Sequence, residues 1–243
     1  MNPKLIKKQF EKSFETYDKN AVVQRVLAEK LSSQIAKIRV EYENILELGC
    51  GTGLLTKVLA KNLKFKNYFA NDLVEKSEKY IKLIVPEAKF FLGNAQKIKT
   101  SQKFDLIISN AVFQWFENLD KVFEYFKPML RKDGIFAFTT FAPDNYKEIA
   151  YLTGLSLDYK SLGEVKTVCS KYFDILYTEE YKQTLKFSTP LELLAHMKNT
   201  GVNSLTSKHW TIKEVKDFCD RCSDCYATPK LTYSAIIFVG RVD

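Results

Sequence analysis

The sequence of 243 residues is poor in the residues that interrupt regular structure and in those that most often bind metals: it has nine glycines, six prolines and two histidines. So few glycines and prolines argue against long disordered tracts. A hydrophobic content of 46% is enough for a full core at the upper end of the single-domain size range. The sequence has no run of about 18 apolar residues, so we expect no membrane span and no membrane partner.

The stretch MNPKLIKKQFEK at the start is charged and has no apolar core, so it does not predict a secretory signal. The odd number of cysteines then indicates reduced thiols in a cytoplasmic protein. The formal charge of +8 favours an acidic partner or substrate through long-range steering. Because the lysines are scattered, a lysine-rich composition without a special partner is the alternative. The cysteines are Cys50, Cys169, Cys219, Cys222 and Cys225.

Strand and helix patterns alternate in the first half of the chain, which predicts a mostly parallel sheet with helices on both faces. We expect one domain, with an N-terminal helical cap (1–40), a core (44–141), insertions (142–232) and a closing strand (233–242). The predicted strands are 44–48, 67–72, 89–93, 104–111, 134–141, an edge strand at 177–187, and 233–242. The predicted helices are 4–38, 54–63, 75–84, 118–130, 161–172, 189–201 and 211–222, with a loop over 143–158.

Three glycines follow the first predicted strand in ILELGCGTGLLTKVLA, residues 45–60. Gly49, Gly51 and Gly53 allow a tight turn and let a ligand approach where a Cβ would clash. The dinucleotide fingerprint is G-x-G-x-x-G, but here the third glycine comes one residue early. Glu47 precedes the loop, where its charge would repel a pyrophosphate. The pattern therefore favours a ligand with a cationic group, such as the ammonium and sulfonium of S-adenosylmethionine.

Polar residues also end the next two strands. The carboxylate of Asp72 can accept hydrogen bonds from both hydroxyls of a ribose. Asn94 and Ala95 offer a side-chain amide and a backbone N–H that can read the edge of an adenine. Ligands of open α/β sheets bind along this carboxyl edge. A glycine loop alone can be only a tight turn, but its combination with Glu47 and Asp72 favours a nucleoside-bearing cation.

These motifs resemble those of the class I S-adenosylmethionine-dependent methyltransferases over residues 44–141. The resemblance implies a Rossmann-like α/β fold with a mostly parallel seven-stranded sheet, an antiparallel closing strand and helical insertions in the second half. It also implies S-adenosyl-L-homocysteine as the product. Many relatives carry Asp where this chain has Asn94. The implied cofactor residues are Glu47, Gly49, Gly51, Gly53, Asp72, Leu73, Asn94, Ala95, Asn110 and Gln24.

Two further stretches resemble the malonyl-carrier-protein carboxyl methyltransferases of biotin biosynthesis. The amino-terminal FEKSFETYDKNAVVQ matches a helix that closes over the cofactor in that family, and SNAVFQW matches its Ser-Asn-Ala…Gln-Trp motif. LLAHMKNTGVN (193–203) and LTY in 229–241 favour this family over the trans-aconitate methyltransferases. The resemblance implies an acidic acyl carrier protein with a malonyl thioester as partner, and we expect a monomer without nucleic acid. The matching residues of the first stretch are Phe14, Tyr17, Asp18 and Gln24.

A carboxylate needs no base to act as nucleophile, because its ordinary pKa near 4 leaves it ionised at pH 7. The enzyme must then orient the anion and exclude water. We expect Tyr17 and Gln114 to be the catalytic residues that position the malonyl carboxylate. A cation from Lys147, Lys198 or Arg241 is expected to assist them.

Other functions remain open at this point. Methylation of a small acid such as trans-aconitate would need no carrier protein, and a cofactor-binding assembly factor would give no methylated product. An RNA methyltransferase is disfavoured because the fourth strand ends in SNAVF rather than an Asn-Pro-Pro-Tyr-like motif. CDRCSDC has the spacing of an iron–sulfur motif but lacks a fourth thiolate nearby, so we expect Cys219, Cys222 and Cys225 to be structural and no metal site. His196 is expected to be a helix-packing or a surface histidine.

Overall fold

A computed structural model describes residues 3–201 and 210–243. Two helices, α1 (Pro3–Asn20) and α2 (Val22–Ile38), precede the sheet. The predicted single helix over 4–38 is therefore wrong at its centre, since Ala21 leaves the helical region with φ −78° and ψ 51°. Because Ala21 is fully buried, apolar residues continue through the break and the periodicity does not reveal it.

One sheet of seven strands runs in the order β3-β2-β1-β4-β5-β7-β6. The first five strands in the chain pair in parallel, and β7 is antiparallel to both of its neighbours. This confirms the expected mostly parallel seven-stranded sheet, its reversed closing strand and its edge strand. The strands are β1 (Glu41–Leu48), β2 (Lys64–Asp72), β3 (Lys89–Leu92), β4 (Phe104–Ser109), β5 (Leu130–Phe141), β6 (Asp174–Lys186) and β7 (Lys230–Arg241).

Helices cover both faces of the sheet, and each face has its own buried cluster. Neighbouring residues of one strand point to opposite faces, so Ile45 packs in the cluster that contains α2 while Leu46 packs in a cluster rich in phenylalanine. This is why β4 is buried at every residue. The remaining helices are α3 (Leu54–Asn62), α4 (Lys76–Ile84), α5 (Leu119–Phe126), α6 (Lys147–Thr153), α7 (Leu162–Cys169), α8 (Pro190–Asn199) and α9 (Ile212–Cys225). In the part of the chain that the structure describes, no helix is long and apolar enough to cross a membrane.

The strand order reverses at β1, which pairs with β2 on one side and with β4 on the other. Such a reversal opens a crevice beyond the carboxyl ends of the strands, where open α/β sheets bind ligands. The chain leaves β4 sharply: the strand ends at Ser109 rather than at the predicted Ala111, which is left-handed with φ 56°. A short 3-10 turn at Phe113–Trp115 follows. The segments after β1, β2, β3 and β4 therefore meet at one edge.

The three cysteines of CDRCSDC lie on α9, which ends at Cys225. Cys222 is buried, Cys219 is half-buried and Cys225 is exposed, and all three are free thiols. Residues three apart lie along one side of a helix, which accounts for the spacing without a bound metal. Within residues 3–201 and 210–243, no group of three or more His, Cys, Asp or Glu residues is placed to hold a metal ion.

Candidate active site

The glycine loop turns back over the end of β1 and is fastened to β2. Gly49 has a φ of +66°, and a Cβ at this position would lie 2.4 Å from Cγ2 of Val112. The backbone N–H of Gly51 donates to Oδ2 of Asp72 at 2.7 Å. Oδ1 of Asp72 accepts a second hydrogen bond from the backbone of Val74 at 2.8 Å. Asp72 thereby fixes the loop.

Glu47 is a buried carboxyl group beneath the loop, with 1% of its surface exposed. Its Oε2 accepts hydrogen bonds from the hydroxyls of Thr56 and Tyr68. Burial raises the pKa of Glu47 to about 7, and the hydrogen bonds from Thr56 and Tyr68 oppose that rise. The negative charge of Asp72 raises the pKa further. A cationic group bound nearby would favour the ionised form of Glu47 and lower its pKa.

A cavity of about 410 Å³ lies at the carboxyl edge of the sheet. This larger cavity has the size of a small-molecule or cofactor site. Helix α1 covers it with the rings of Phe10, Phe14 and Tyr17. The predicted cofactor residues that line it are Glu47, Gly49, Gly51, Asp72, Leu73, Asn94, Ala95 and Asn110.

Two of the predicted cofactor residues lie elsewhere. Gly53 precedes α3, and a Cβ at this position would lie 2.5 Å from Cδ1 of Ile84 on α4. The absence of a side chain at Gly53 therefore allows α3 and α4 to pack closely. Gly53 does not line the larger cavity. Gln24 lines the smaller cavity described below.

The side chains of Asn94 and Asn110 line the larger cavity but are already hydrogen-bonded within the protein. Oδ1 of Asn94 accepts from the backbone of Gln96 at 2.9 Å. Asn110 donates from Nδ2 to the carbonyl of Gln24 at 3.0 Å and accepts at Oδ1 from Thr139 at 2.7 Å. Asn110 therefore joins α2 to β5, and Asn94 has its Nδ2 atom left to offer a ligand.

A smaller cavity of about 20 Å³ lies beside the larger one, on the side of α6. Phe10, Tyr17, Ala111 and Trp115 line both cavities, so they form a shared wall. Tyr17 and Gln114 were predicted to be catalytic. Tyr17 lies in this shared wall, whereas Gln114 lines only the smaller cavity. The other residues of the smaller cavity are Gln24, Phe141, Asn145, Tyr146, Leu157, Tyr159 and Thr200.

Four of the side chains around the smaller cavity contain a buried polar atom without a hydrogen-bond partner. Buried polar groups are nearly always paired, so four such atoms around a space of about 20 Å³ indicate that it takes up water or a small polar group of a ligand. Tyr146 and Gln24 are close enough to the hydroxyl of Tyr233 to influence its pKa, but neither forms a hydrogen bond of good geometry. The unpaired atoms are Oε1 of Gln24, Oε1 of Gln114, Nε1 of Trp115 and the hydroxyl of Tyr146.

His196 packs inside the protein, on α8 behind the smaller cavity. Its Nε2 lies 2.7 Å from the hydroxyl of Tyr233 on β7. Burial lowers the pKa of His196, so the ring is neutral at pH 7. His196 does not line either cavity. It is therefore a packing histidine rather than a surface one, but its hydrogen-bond partner lies on a strand and not on another helix.

The three candidate cations do not line the smaller cavity. Lys147 and Lys198 are exposed, the first at the start of α6 and the second in the last turn of α8. Arg241 pairs with Ile135 near the amino end of β5, at the sheet edge opposite to the cavities. Arg241 is therefore wrong as a candidate. Among the residues that the structure describes, no lysine or arginine lines the smaller cavity.

Sequence reasoning missed Asn145 and Tyr146, which it placed in an unassigned loop. They follow β5 at the carboxyl edge, where Asp72 ends β2 and Asn94 follows β3. The sequence analysis took residues at the carboxyl ends of β2 and β3 as candidates for the site, and doing the same for β5 would have found them. The Val202 and Asn203 positions of the predicted family motif lie outside the described residues.

Comparison with known proteins gives the family. Residues 46–138 match the methyltransferase domain family. The malonyl-[acyl-carrier protein] O-methyltransferase of Calditerrivibrio nitroreducens is 35% identical over 88% of this chain and 86% of the relative. The enzyme of the same name from Bacteroides thetaiotaomicron is 34% identical over 99% of this chain and 98% of the relative.

Solved structures show the same fold at low sequence identity. The YcgJ protein of Bacillus subtilis superimposes with a TM-score of 0.60 at 14% identity, over 88% of this chain and 98% of that one. The N-methyltransferase NodS of Bradyrhizobium japonicum, solved with S-adenosyl-L-homocysteine, gives a TM-score of 0.52 at 13% identity. That match covers 88% of this chain and 85% of NodS. The fold, the sequence relatives and the glycine-loop cavity agree: this chain belongs to the malonyl-[acyl-carrier protein] O-methyltransferase family of S-adenosylmethionine-dependent methyltransferases, as its motifs predicted.

Proposed function

We propose that this protein transfers the methyl group of S-adenosylmethionine to the free carboxylate of a malonyl thioester carried by an acyl carrier protein, an early step of biotin biosynthesis. The relatives that carry this name span nearly the whole chain. The observation that best supports the proposal is the shared wall of the two cavities, with Tyr17 in it. A cofactor in the larger cavity and the carboxylate end of an acyl group in the smaller one would meet at this wall.

The larger cavity has the chemistry that the cofactor requires. The buried carboxyl of Glu47 suits the ammonium group of its amino-acid part, and the bare backbone of Gly49 and Gly51 lets that part lie close to the loop. Asp72 suits the ribose hydroxyls, since its carboxylate lines the larger cavity at the end of β2. Nδ2 of Asn94 and the backbone of Ala95 are left for the adenine.

The cofactor supplies an electrophilic methyl group on a positively charged sulfur. A carboxylate oxygen of the malonyl group attacks the methyl carbon, a C–O bond forms, and the C–S bond breaks with its electron pair going to sulfur. No proton moves, which is consistent with a neutral His196 that lies behind the pocket. The protein contributes orientation and the exclusion of water.

Tyr17 and Gln114 orient the carboxylate in this scheme. The amide of Gln114 is fixed because Nε2 donates to the carbonyl of Ala111 at 2.7 Å. Tyr17 stays a neutral phenol, because burial raises its pKa well above its ordinary value. The net charge of +8 would attract an acidic carrier protein to a monomeric enzyme.

A labelled-methyl transfer assay tests the proposal by offering malonyl-carrier protein, malonyl-CoA and trans-aconitate in parallel with the same enzyme. We expect the highest kcat/KM with malonyl-carrier protein. Preference for trans-aconitate would replace the proposal with a small-acid methyltransferase. Binding of S-adenosylhomocysteine without transfer to any acceptor would instead indicate a cofactor-binding assembly factor.

A further inference from the structure

We propose that the malonyl carboxylate is held by two uncharged donors, the indole N–H of Trp115 and the hydroxyl of Tyr146, rather than by a lysine or arginine. This inference rests on the proposed function, because it concerns the carboxylate end of the acyl group, the only part that fits a cavity of about 20 Å³. Both side chains line that cavity, and both polar atoms are buried without a hydrogen-bond partner. Nothing in the family motifs assigns a role to Tyr146.

Trp115 is placed where the acyl group and the cofactor would meet. It belongs to the wall shared by the two cavities and lies on the 3-10 turn after β4. Its ring packs edge-to-face against Phe10 of α1, with the centroids 6.4 Å apart. A buried N–H without an acceptor destabilises the protein, because it has lost its hydrogen bond to water. A carboxylate oxygen would remove that cost and gain a charge-assisted hydrogen bond.

Tyr146 is held rigidly in an unusual backbone conformation. It has a φ of 57°, in the left-handed region that non-glycine residues seldom adopt, and such positions are concentrated at functional sites. Its backbone N–H donates to Thr232 on β7 at 2.7 Å, and its ring packs edge-to-face against Tyr233. The preceding Asn145 donates to the hydroxyl of Tyr159 at 3.0 Å. Burial raises the pKa of Tyr146, so its hydroxyl remains a donor at neutral pH.

The reaction itself favours neutral donors. The anionic carboxylate and the cationic sulfonium lose their charges together as the methyl group moves. A fixed cation beside the carboxylate would stabilise the reactants more than the transition state and would slow the step. Hydrogen bonds from neutral groups orient the anion at a smaller cost in reactivity. This agrees with the lining of the smaller cavity, which contains no lysine or arginine among the described residues.

The two unpaired glutamine oxygens do not themselves hold the carboxylate. Oε1 of Gln24 and Oε1 of Gln114 are acceptors, so Gln114 can orient a carboxylate only through its amide Nε2.

The test compares the binding of malonyl-carrier protein with that of acetyl-carrier protein, which lacks the carboxylate, in the presence of S-adenosylhomocysteine. We expect the wild type to bind the malonyl form at least about tenfold more tightly. Trp115→Phe and Tyr146→Phe should each reduce that preference about tenfold, while the Kd for acetyl-carrier protein changes by less than about twofold. A merely structural defect would weaken both forms equally. The matched control is Tyr151→Phe, which removes an exposed hydroxyl on the same helix and should leave the preference intact.

The alternative is tested by Lys147→Met, Lys198→Met and Lys208→Met, the last at a position outside the described residues. Loss of the malonyl preference in one of these variants, with the preference retained in Trp115→Phe and Tyr146→Phe, would overturn the inference. A wild type that binds both forms equally would also overturn it. Methyl transfer by the wild type is measured in parallel. Transfer without any effect of the two variants on the preference refutes only this inference, whereas no transfer at all refutes the proposed function as well.

Discussion

The hydroxyl of Thr52 in the glycine loop donates a hydrogen bond to Oδ1 of Asp18 on α1. Oδ2 of the same carboxylate accepts from Nζ of Lys57 on α3 at 2.8 Å. Thr52 is buried, while the side chains of Asp18 and Lys57 are 39% and 51% exposed. Asp18 therefore fastens the helix that covers the larger cavity to the loop beneath it.

Asp18→Ala should loosen α1 and weaken cofactor binding. The variant loses a hydrogen bond to a buried hydroxyl, which is worth about 1 kcal/mol. We expect the Kd for S-adenosylhomocysteine, measured by calorimetry, to rise about fivefold. Lys57→Ala is the matched control, because an exposed ion pair contributes little, and its Kd should stay within about twofold. Equal effects of the two substitutions would contradict a role for the Thr52 contact.

Two alanine substitutions in the glycine loop should have different consequences. Gly49→Ala places a Cβ against Val112, so we expect a loss of stability of about 2–4 kcal/mol, seen as a lower Tm. Gly51→Ala meets no protein atom within 4 Å, and its cost is the left-handed φ of +52°, about 1–2 kcal/mol. Because Gly51 lines the larger cavity, its variant should fold yet bind S-adenosylhomocysteine at least about tenfold more weakly. Unchanged affinity in folded Gly51→Ala would contradict a cofactor position above the loop.

Cofactor affinity should depend on pH through Glu47. In the free protein its pKa is raised to about 7, and the cofactor's ammonium would lower it, so binding releases a proton below that pH. Affinity is therefore highest above pH 7 and is lost as the pH falls. We expect the Kd for S-adenosylhomocysteine to be about tenfold higher at pH 6 than at pH 8.

Glu47→Gln provides the control for that pH dependence. Its Kd should be higher than that of the wild type at pH 8 and nearly constant between pH 6 and pH 8. A wild-type Kd that is equal at the two pH values, or a pH dependence that persists in Glu47→Gln, would rule out Glu47 as the group that titrates.

Removing the hydroxyl of Tyr17 or the amide of Gln114 should impair the use of the methyl acceptor, malonyl-carrier protein, and leave cofactor binding intact. We expect Tyr17→Phe and Gln114→Ala each to lower kcat/KM for malonyl-carrier protein about tenfold, with the Kd of the cofactor nearly unchanged. Steady-state kinetics at saturating cofactor provide the measurement. If both variants retain the kcat/KM of the wild type, these residues do not position the carboxylate.

Turnover on the carrier protein should decrease as salt is added. The positive net charge steers an acidic partner, and salt screens that attraction, with a Debye length of about 10 Å at 0.1 M. We expect kcat/KM for malonyl-carrier protein to fall severalfold between low and high ionic strength. A short malonyl thioester without the carrier should show a much weaker dependence. Equal salt dependence for the two substrates would mean that no carrier protein is steered.

The sheet could be predicted from the sequence because the pattern of apolar residues in each strand indicates how that strand is buried, and because a turn ends each strand. Strand β4 is apolar throughout and β6 alternates, which distinguishes a central strand from an edge strand. The kink at Ala21 could not be predicted, since it changes two backbone angles and leaves the apolar pattern intact. The antiparallel direction of β7 came from the family resemblance, because periodicity contains no information on direction.

The candidate site could be predicted where the chain follows one rule, that residues after parallel strands meet at one edge. That rule placed Glu47, Asp72 and Asn94 around the larger cavity. It could not place Gln24, which reaches the smaller cavity from α2 through tertiary packing. Arg241 could have been excluded, because the expected antiparallel direction of the closing strand already puts its carboxyl end at the edge opposite to the cavities.

The most direct test of the account is a mass measurement on malonyl-carrier protein after a single turnover with the enzyme and S-adenosylmethionine. Fragmentation of the product then locates any added methyl group. The account predicts a gain of one methyl group, located as an ester on the free carboxylate of the malonyl unit. It predicts no change in acetyl-carrier protein treated in the same way. A malonyl-carrier protein of unchanged mass, or a methyl group found on the carrier polypeptide, would contradict it.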